Sequence, residues 1–303
     1  MVVAAVLAGL IPSFLLVGLG GLLRKRLSEN AWTGLDRLNF EILFPALLFT
    51  AAASRPMDLG RVAVIGPSVW AILTLGLVAG YAARRFGPPR FLDFAGSWQT
   101  AWRFNTAMGF VAVATLSLAD AGMMAVVAGM AVPLANIFAV GALSRGGGLG
   151  LWATVRRVAL NPFLLASVGG VLVGISGWTP PGLILAPLLL LAQAAIPVAL
   201  LSVGATMDWR ALGRMDAFSA VLVGVKLLLL PAVTLGTCLG LGADPALTQV
   251  LTMFAALPTA SAAHVLASAF GADRMRAATV VAQSTLLSAL TLPLWISLVE
   301  FLT

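Results

Sequence analysis

Residues 104–120 read FNTAMGFVAVATLSLAD and residues 257–273 read LPTASAAHVLASAFGAD, and the two stretches align without a gap. Thr106 falls on Thr259, Ala107 on Ala260, Ala114 on Ala267, Ala119 on Ala272 and Asp120 on Asp273. Other landmarks recur at nearly the same offset of about 150 residues: FPALL around Pro45 with IPVALL around Pro197, and Pro12 before Gly20-Gly21 with Pro162 before Gly169-Gly170. The chain therefore reads as two halves built on one plan.

Composition says what solvent the halves sit in. Of 303 residues, 60% are hydrophobic and 10% charged, and the mean hydropathy is +1.03. Soluble domains run near 45–50% apolar and about 25% charged, so this chain is covered by apolar side chains as well as filled by them, and belongs in a bilayer. Apolar runs bounded by charge, Gly or Pro lie at about 3–23, 33–53, 61–83, 91–118, 121–144, 155–176, 183–206, 217–240, 246–270 and 275–301. At about 20 residues per crossing these are ten spans, and the gaps are too short for a soluble domain. The first run has no basic residue before it, so it reads as a retained span and not a cleaved signal.

The net charge is +7 and the pI about 11.2, but the basic residues sit at the ends of apolar runs and not in one stripe, which points away from nucleic acid. Arg24, Lys25, Arg26, Arg37, Arg84, Arg85, Arg90, Arg145, Arg156, Arg157, Arg210, Arg214, Arg274 and Arg276 follow odd-numbered spans, whereas even-numbered connections hold Arg55 and Arg61. The positive-inside rule then puts the odd connections in the cytoplasm and both termini outside a plasma (inner) membrane. Five spans per half is an odd number, so the second half enters in the opposite sense, the inverted repeat common in secondary transporters. The expected fold is an all-α polytopic membrane protein of ten helices, with residues 1–144 as the first repeat, 145–154 as a linker and 155–303 as the second.

The fourth and ninth spans are weak at matched points. Gln99, Arg103 and Asn105 lie inside the fourth and Pro258 inside the ninth. Proline removes a backbone donor, and asparagine competes for local backbone groups. Broken helices at membrane depth persist only where protein or a wet cavity surrounds them, and their N-termini offer free N–H groups to an anion. Asn105 and Thr106, with Pro258, Thr259 and Ser261, are thus read as two unwound points facing one central site, with a proline kink and an ordinary polar packing contact as the alternative.

The opening span running into LLRKRLSENAWTGLDRLNFEILFPALLF, the FNTAMG around Asn105, the VPLANIFAV around Asn136, the KLLLLP from Lys226 to Pro231 and the ALPTASAAHVLASAFGAD of the ninth span together resemble the auxin efflux carrier family. Their shortness is similar to its prokaryotic members, described as malate or organic-acid permeases. The resemblance implies an elevator-type fold in which helices 4 and 9 cross at unwound points. Helices 1, 2, 6 and 7 would form a scaffold, often dimeric, and helices 3–5 and 8–10 a moving transport domain. It also implies small organic anions as substrates, dicarboxylates or indole-3-acetate among them. Phe104, preceded by Arg103, stands where the plant carriers have glycine before the asparagine.

Arg103 is costly at depth and should face a substrate carboxylate or a structural partner. Asn136 is the first choice among polar cavity-lining groups, ahead of Gln283. Lys226, midway along the eighth span, should meet a carboxylate or backbone carbonyls. Glu41 lies four residues after Arg37, so an ion pair competes with a proton-carrying role. His264, the single histidine, ordinarily titrates near about 6.5, yet its repeat counterpart is Val111, which favours a packed neutral ring. Cys238 is the single cysteine, so neither a disulfide nor a thiolate metal site arises within the chain. No cofactor and no catalytic motif is expected. The sequence supports a secondary transporter of small organic anions working by alternating access. The alternatives are a sodium- or proton-coupled symporter or antiporter of related crossover fold, and a non-transporting membrane sensor.

Overall fold

In hydrocarbon every backbone polar group must find its partner within the chain, which leaves helix as the local solution for long apolar runs. The computed structural model describes residues 2–53, 59–147, 152, 156, 159–160, 162–206, 209–260 and 262–303, and among them there is no β-strand. The expected linker 145–154 lies mostly outside the described residues.

The first half contains α1 (Val2–Leu23), α2 (Glu29–Leu38), α3 (Phe44–Ala53), α4 (Leu59–Gly80), α5 (Phe91–Trp98), α6 (Thr106–Val113) and α7 (Ala121–Gly147). The second contains α8 (Pro162–Ser176), α9 (Gly182–Thr206), α10 (Ala217–Gly224), α11 (Leu230–Gly240), α12 (Pro245–Ala256), α13 (Ala262–Ala269) and α14 (Arg274–Leu302). Two joints are wide π turns that keep a rod continuous: Asn39–Leu43 links α2 to α3, and Val225–Leu229 links α10 to α11. A 3₁₀ stretch, Tyr81–Phe86, extends α4, and another, Gln99–Ala101, extends α5. Among the described residues, five stretches are long and apolar enough to cross a membrane: Ala63–Phe86, Ala121–Arg145, Gly182–Ala205, Ala217–Gly240 and Arg274–Leu302.

The runs 91–118 and 246–270 are each split in two. At 1.5 Å per residue, α5, α6, α12 and α13 are about 12–18 Å long, roughly half the hydrocarbon core each. The first of these runs also leaves helix at Ala114, earlier than its apolar composition suggests. There Gln249 on α12 accepts from Leu118 N–H and Glu300 on α14 accepts from Ser117 N–H, so polar groups of the second half end the helix.

α1 packs on α9, α3 on α8 and α9, α4 on α7, α5 on α7 and α13, and α12 on α11 and α14. Close approach depends on small residues, as membrane helices require. A Cβ at Gly20 would overlap the Leu201 carbonyl, and one at Gly204 would overlap the carbonyl of Val17, so α1 and α9 meet backbone to backbone. Gly170 faces Phe49 O in the same way, where an added Cβ would lie 2.7 Å away, so α8 and α3 also meet closely. At the edge of the membrane region Asp216 caps α10, accepting from Ser219 N–H, and pairs with Arg276 at 2.7 Å. Partial burial works against its ionisation, but the Ser219 contacts and the Arg276 guanidinium outweigh that and hold its pKa below the usual aspartate value.

Candidate functional site

The two breaks meet. Asn105 takes an extended backbone and its Oδ1 accepts from Met108 N–H, starting α6. Its own N–H donates to the carbonyl of Pro258 at 2.8 Å. Thr259 donates its hydroxyl to Thr100 O at 2.7 Å and its N–H to Ser284 Oγ at 3.0 Å. The Gln99 amide donates to Gly96 O and, across the crossing, to Ala263 O, both at 3.0 Å. Two unwound segments therefore pass each other and exchange the backbone partners that each lost on leaving helix, which is the condition for irregular backbone at membrane depth. Gln99, Thr100, Asn105, Thr106 and Thr259 are all buried. Ser261 lies outside the described residues.

Aromatic packing fixes the break. Trp102 is fully buried, donates its indole N–H to Ala135 O on α7 and stands edge-on to Trp98 and Phe138. On the other side α4 presents Gly76, where an added Cβ would lie 2.7 Å from Ala101 O and 3.1 Å from the Trp102 side chain. The Gly76/Gly80 spacing thus seats the broken helix against α4.

Arg103 leaves this crossing as a partly buried guanidinium. One arm donates to Gln99 Oε1 at 3.2 Å, the other to Asn136 Oδ1 at 3.1 Å. Both acceptors are neutral, and among the described residues no carboxylate pairs with it. Capping of α6 by Asn105 leaves the N–H groups of Thr106 and Ala107 without a helical acceptor. The positive end of that half-helix and the guanidinium are three residues apart in sequence, a favourable setting for an anion.

Lys226 is buried and donates to Ala255 O at 2.8 Å. It thereby meets a carbonyl in the last turn of α12, the negative end of the other half-helix, and acts on the crossing through backbone. Gln283 donates to Ala211 O at 2.9 Å and leaves its Oε1 buried without a hydrogen bond. Its neighbour Ser284 is the residue that reaches the crossing. His264 lies in the first turn of α13, with Nδ1 buried and without a hydrogen bond. Glu41 pairs with Arg37 at 2.8 Å on an exposed face of the Asn39–Leu43 turn, apart from the crossing. Thr100 and Ser284 carry no mark in the sequence beyond being small hydroxyls in apolar runs, although the polar run Gln283-Ser284-Thr285 inside α14 offered a signal. No group of three or more His, Cys, Asp or Glu that could hold a metal occurs among the described residues.

A model of the membrane transport protein family matches residues 151–296, which include the Pro258 break. The chain is 29% identical over 301 residues, 95% of this chain and 94% of the relative, to a Rhizobium meliloti (strain 1021) protein named "Putative malonate transporter". It is 26% identical over 286 residues, 89% of each chain, to an "Uncharacterized transporter" of Methanothermobacter thermautotrophicus. Over residues 151–296 the chain is thus similar to the membrane transport protein family, and both relatives carry transporter names, which points to a membrane transporter rather than an enzyme.

Proposed function

We propose that this transporter moves small organic anions, with short dicarboxylates such as malonate as the leading candidates, and binds them at the crossing of 99–105 with 257–260. The observation that carries the reading is Arg103: a guanidinium at membrane depth held by two neutral oxygens retains its full charge for a carboxylate. Asn105, Thr106, Asn136, Pro258, Thr259 and Ser261 complete the proposed site, with free N–H groups at the α6 N-terminus as further donors. The name of the Rhizobium relative supports a dicarboxylate.

A cation exchanger would need an ionisable carboxylate at the crossing; among the described residues of 99–105 and 257–260 the charged side chain is a cation. Sodium at Gln99 is disfavoured as well, because its Oε1 already accepts from Arg103. Repeats of inverted sense, with 1–144 and 155–303 as the halves, fit the meeting of two breaks at matched positions. In our reading α1, α2–α3, α8 and α9 form the scaffold, since their tightest packing is with one another across the halves. The remaining helices form a body that carries the crossing from one face to the other. Dimerisation through the scaffold, and termini outside the inner membrane, are part of the same proposal.

Substrate-jump currents in proteoliposomes, with malonate, malate, succinate and indole-3-acetate compared at two pH values, test the reading. A saturable current for one of these anions is expected. Silence toward all four at equal protein incorporation would refute it.

A further inference from the structure

A groove of about 240 Å³ opens between α4, α5 and α7, apart from the crossing. Its walls are Leu77 in the last turn of α4, Phe91 and Trp98 on α5, and Ile137 and Phe138 on α7. Residues 137, 138, 141, 142 and 145 lie on one face of α7, so at 1.5 Å per residue the groove runs about 12 Å along that helix. Gly141 keeps it open: a Cβ built there meets nothing within 4 Å.

The chemistry of the groove is two-ended. Trp98 carries a polar atom, but its indole N–H is spent on Leu77 O at 3.0 Å, leaving an apolar ring toward the groove. At the mouth stands Arg145, exposed on the last turns of α7. The arginines between α4 and α5 are engaged: Arg84 donates to the carbonyls of Pro88 and Pro89, Arg85 lies over the Phe86 ring and Arg90 pairs with Asp93. Arg145 has no such partner among the described residues. Phe91, which opens α5, and Arg145, on which the apolar stretch Ala121–Arg145 ends, place that mouth at the ends of the helices, where the polar interface lies.

We infer that this groove is a binding site for one anionic phospholipid, with an acyl chain over Gly141 between Trp98 and Phe138 and the phosphate at Arg145. An apolar trough ending in a free guanidinium matches an amphiphile with a negative head, and the bilayer supplies such a molecule at that depth. Ile137 and Phe138 directly follow Asn136, so the lipid would steady the turn of α7 that holds Arg103. The lipid site stands whatever anion is transported.

Native mass spectrometry of the purified full chain, titrated with phosphatidylglycerol or phosphatidylcholine of identical chains, tests it. One basic side chain near the surface is worth about 1 kcal/mol, so wild type should take its first phosphatidylglycerol at about fivefold lower concentration. Arg145→Gln should erase that preference. Gly141→Leu, which adds a side chain into open space, should remove the first adduct for both lipids. Equal affinity for the two lipids in wild type, or a first adduct unchanged in either variant, would overturn the assignment.

Discussion

Replacing Arg103 by glutamine removes the positive charge from the crossing and keeps a polar side chain there. Arg103 donates to Gln99 at 3.2 Å and Asn136 at 3.1 Å, and neither acceptor neutralises it. A substrate carboxylate arriving at hydrogen-bond distance would gain roughly 1.5–3 kcal/mol, the net range for hydrogen bonds to charged groups. The bare Coulomb attraction at 4 Å and an effective dielectric constant near 20, about 4 kcal/mol, is the ceiling, because both ions lose hydration. Arg103→Gln should therefore raise the half-saturating malonate concentration in substrate-jump currents by about 10- to 160-fold. Arg103→Lys should fall between, since an ammonium keeps the charge and loses the flat two-armed fork that spans Gln99 and Asn136. The readout is current per incorporated protein, with thermal unfolding recorded on the same preparations. A glutamine variant that saturates within about threefold of wild type, a difference of about 0.6 kcal/mol, would refute the role of Arg103 as substrate counter-charge.

Gly204→Val forces a Cβ into the Val17 carbonyl and should cost about 1–3 kcal/mol or more, read as a lowered melting temperature, because α1 and α9 must separate. Gly236→Ala on α11, where nothing lies within 4 Å, should instead raise it by the equivalent of about 0.5–1 kcal/mol. Thr259→Val leaves the buried Thr100 carbonyl unpaired and should lower stability by about 1–3 kcal/mol while slowing the current; a melting temperature equal to wild type would show that the crossing does not depend on that bond. Asp216 has a depressed pKa when folded, so its contribution is complete above about pH 4, the ordinary aspartate range, and is lost as pH falls through the folded value. The melting gap between wild type and Asp216→Asn should thus close on acidification and stay under about 1 kcal/mol throughout, since the Arg276 pair is largely exposed.

The breaks were legible in the sequence because Asn105 and Pro258 fall at matched positions of two aligned stretches; a proline alone was no sign, since Pro67, Pro133, Pro187, Pro197 and Pro293 all lie inside continuous helices. What closes the crossing was not legible. Its partners are backbone carbonyls and small hydroxyls: Pro258 O for Asn105, Thr100 O for Thr259, Ser284 for the Thr259 N–H. Such groups occur everywhere along the chain, and only the folded path brings residues about 150 positions apart into contact. Arg103 was recognisable as an expensive residue, yet its two holders come from its own helix and from α7, and sequence alone left substrate and structural partner equally open. Lys226 was expected to meet a carboxylate or carbonyls, and it meets the carbonyl of Ala255. Helical periodicity offered little help in phasing the spans, because a helix facing lipid on one side and protein on the other is apolar all round.

A π turn is an α-helix carrying one surplus residue, and this chain has one at Asn39–Leu43 and another at Val225–Leu229. A helical wheel drawn through either turn must be re-phased there by about 100°. In alignments of relatives, single-residue gaps belong at these two places, since deleting one residue restores an ordinary helix without breaking the rod. The surplus residue also decides which side chain looks inward. Asn39, whose amide reaches Ala195 O, and Lys226, whose ammonium reaches Ala255 O, both stand on the widened turns. A relative that has lost the extra residue would rotate a different side chain toward each of those carbonyls, so conservation of Asn39 or Lys226 can be judged only together with chain length at the turn.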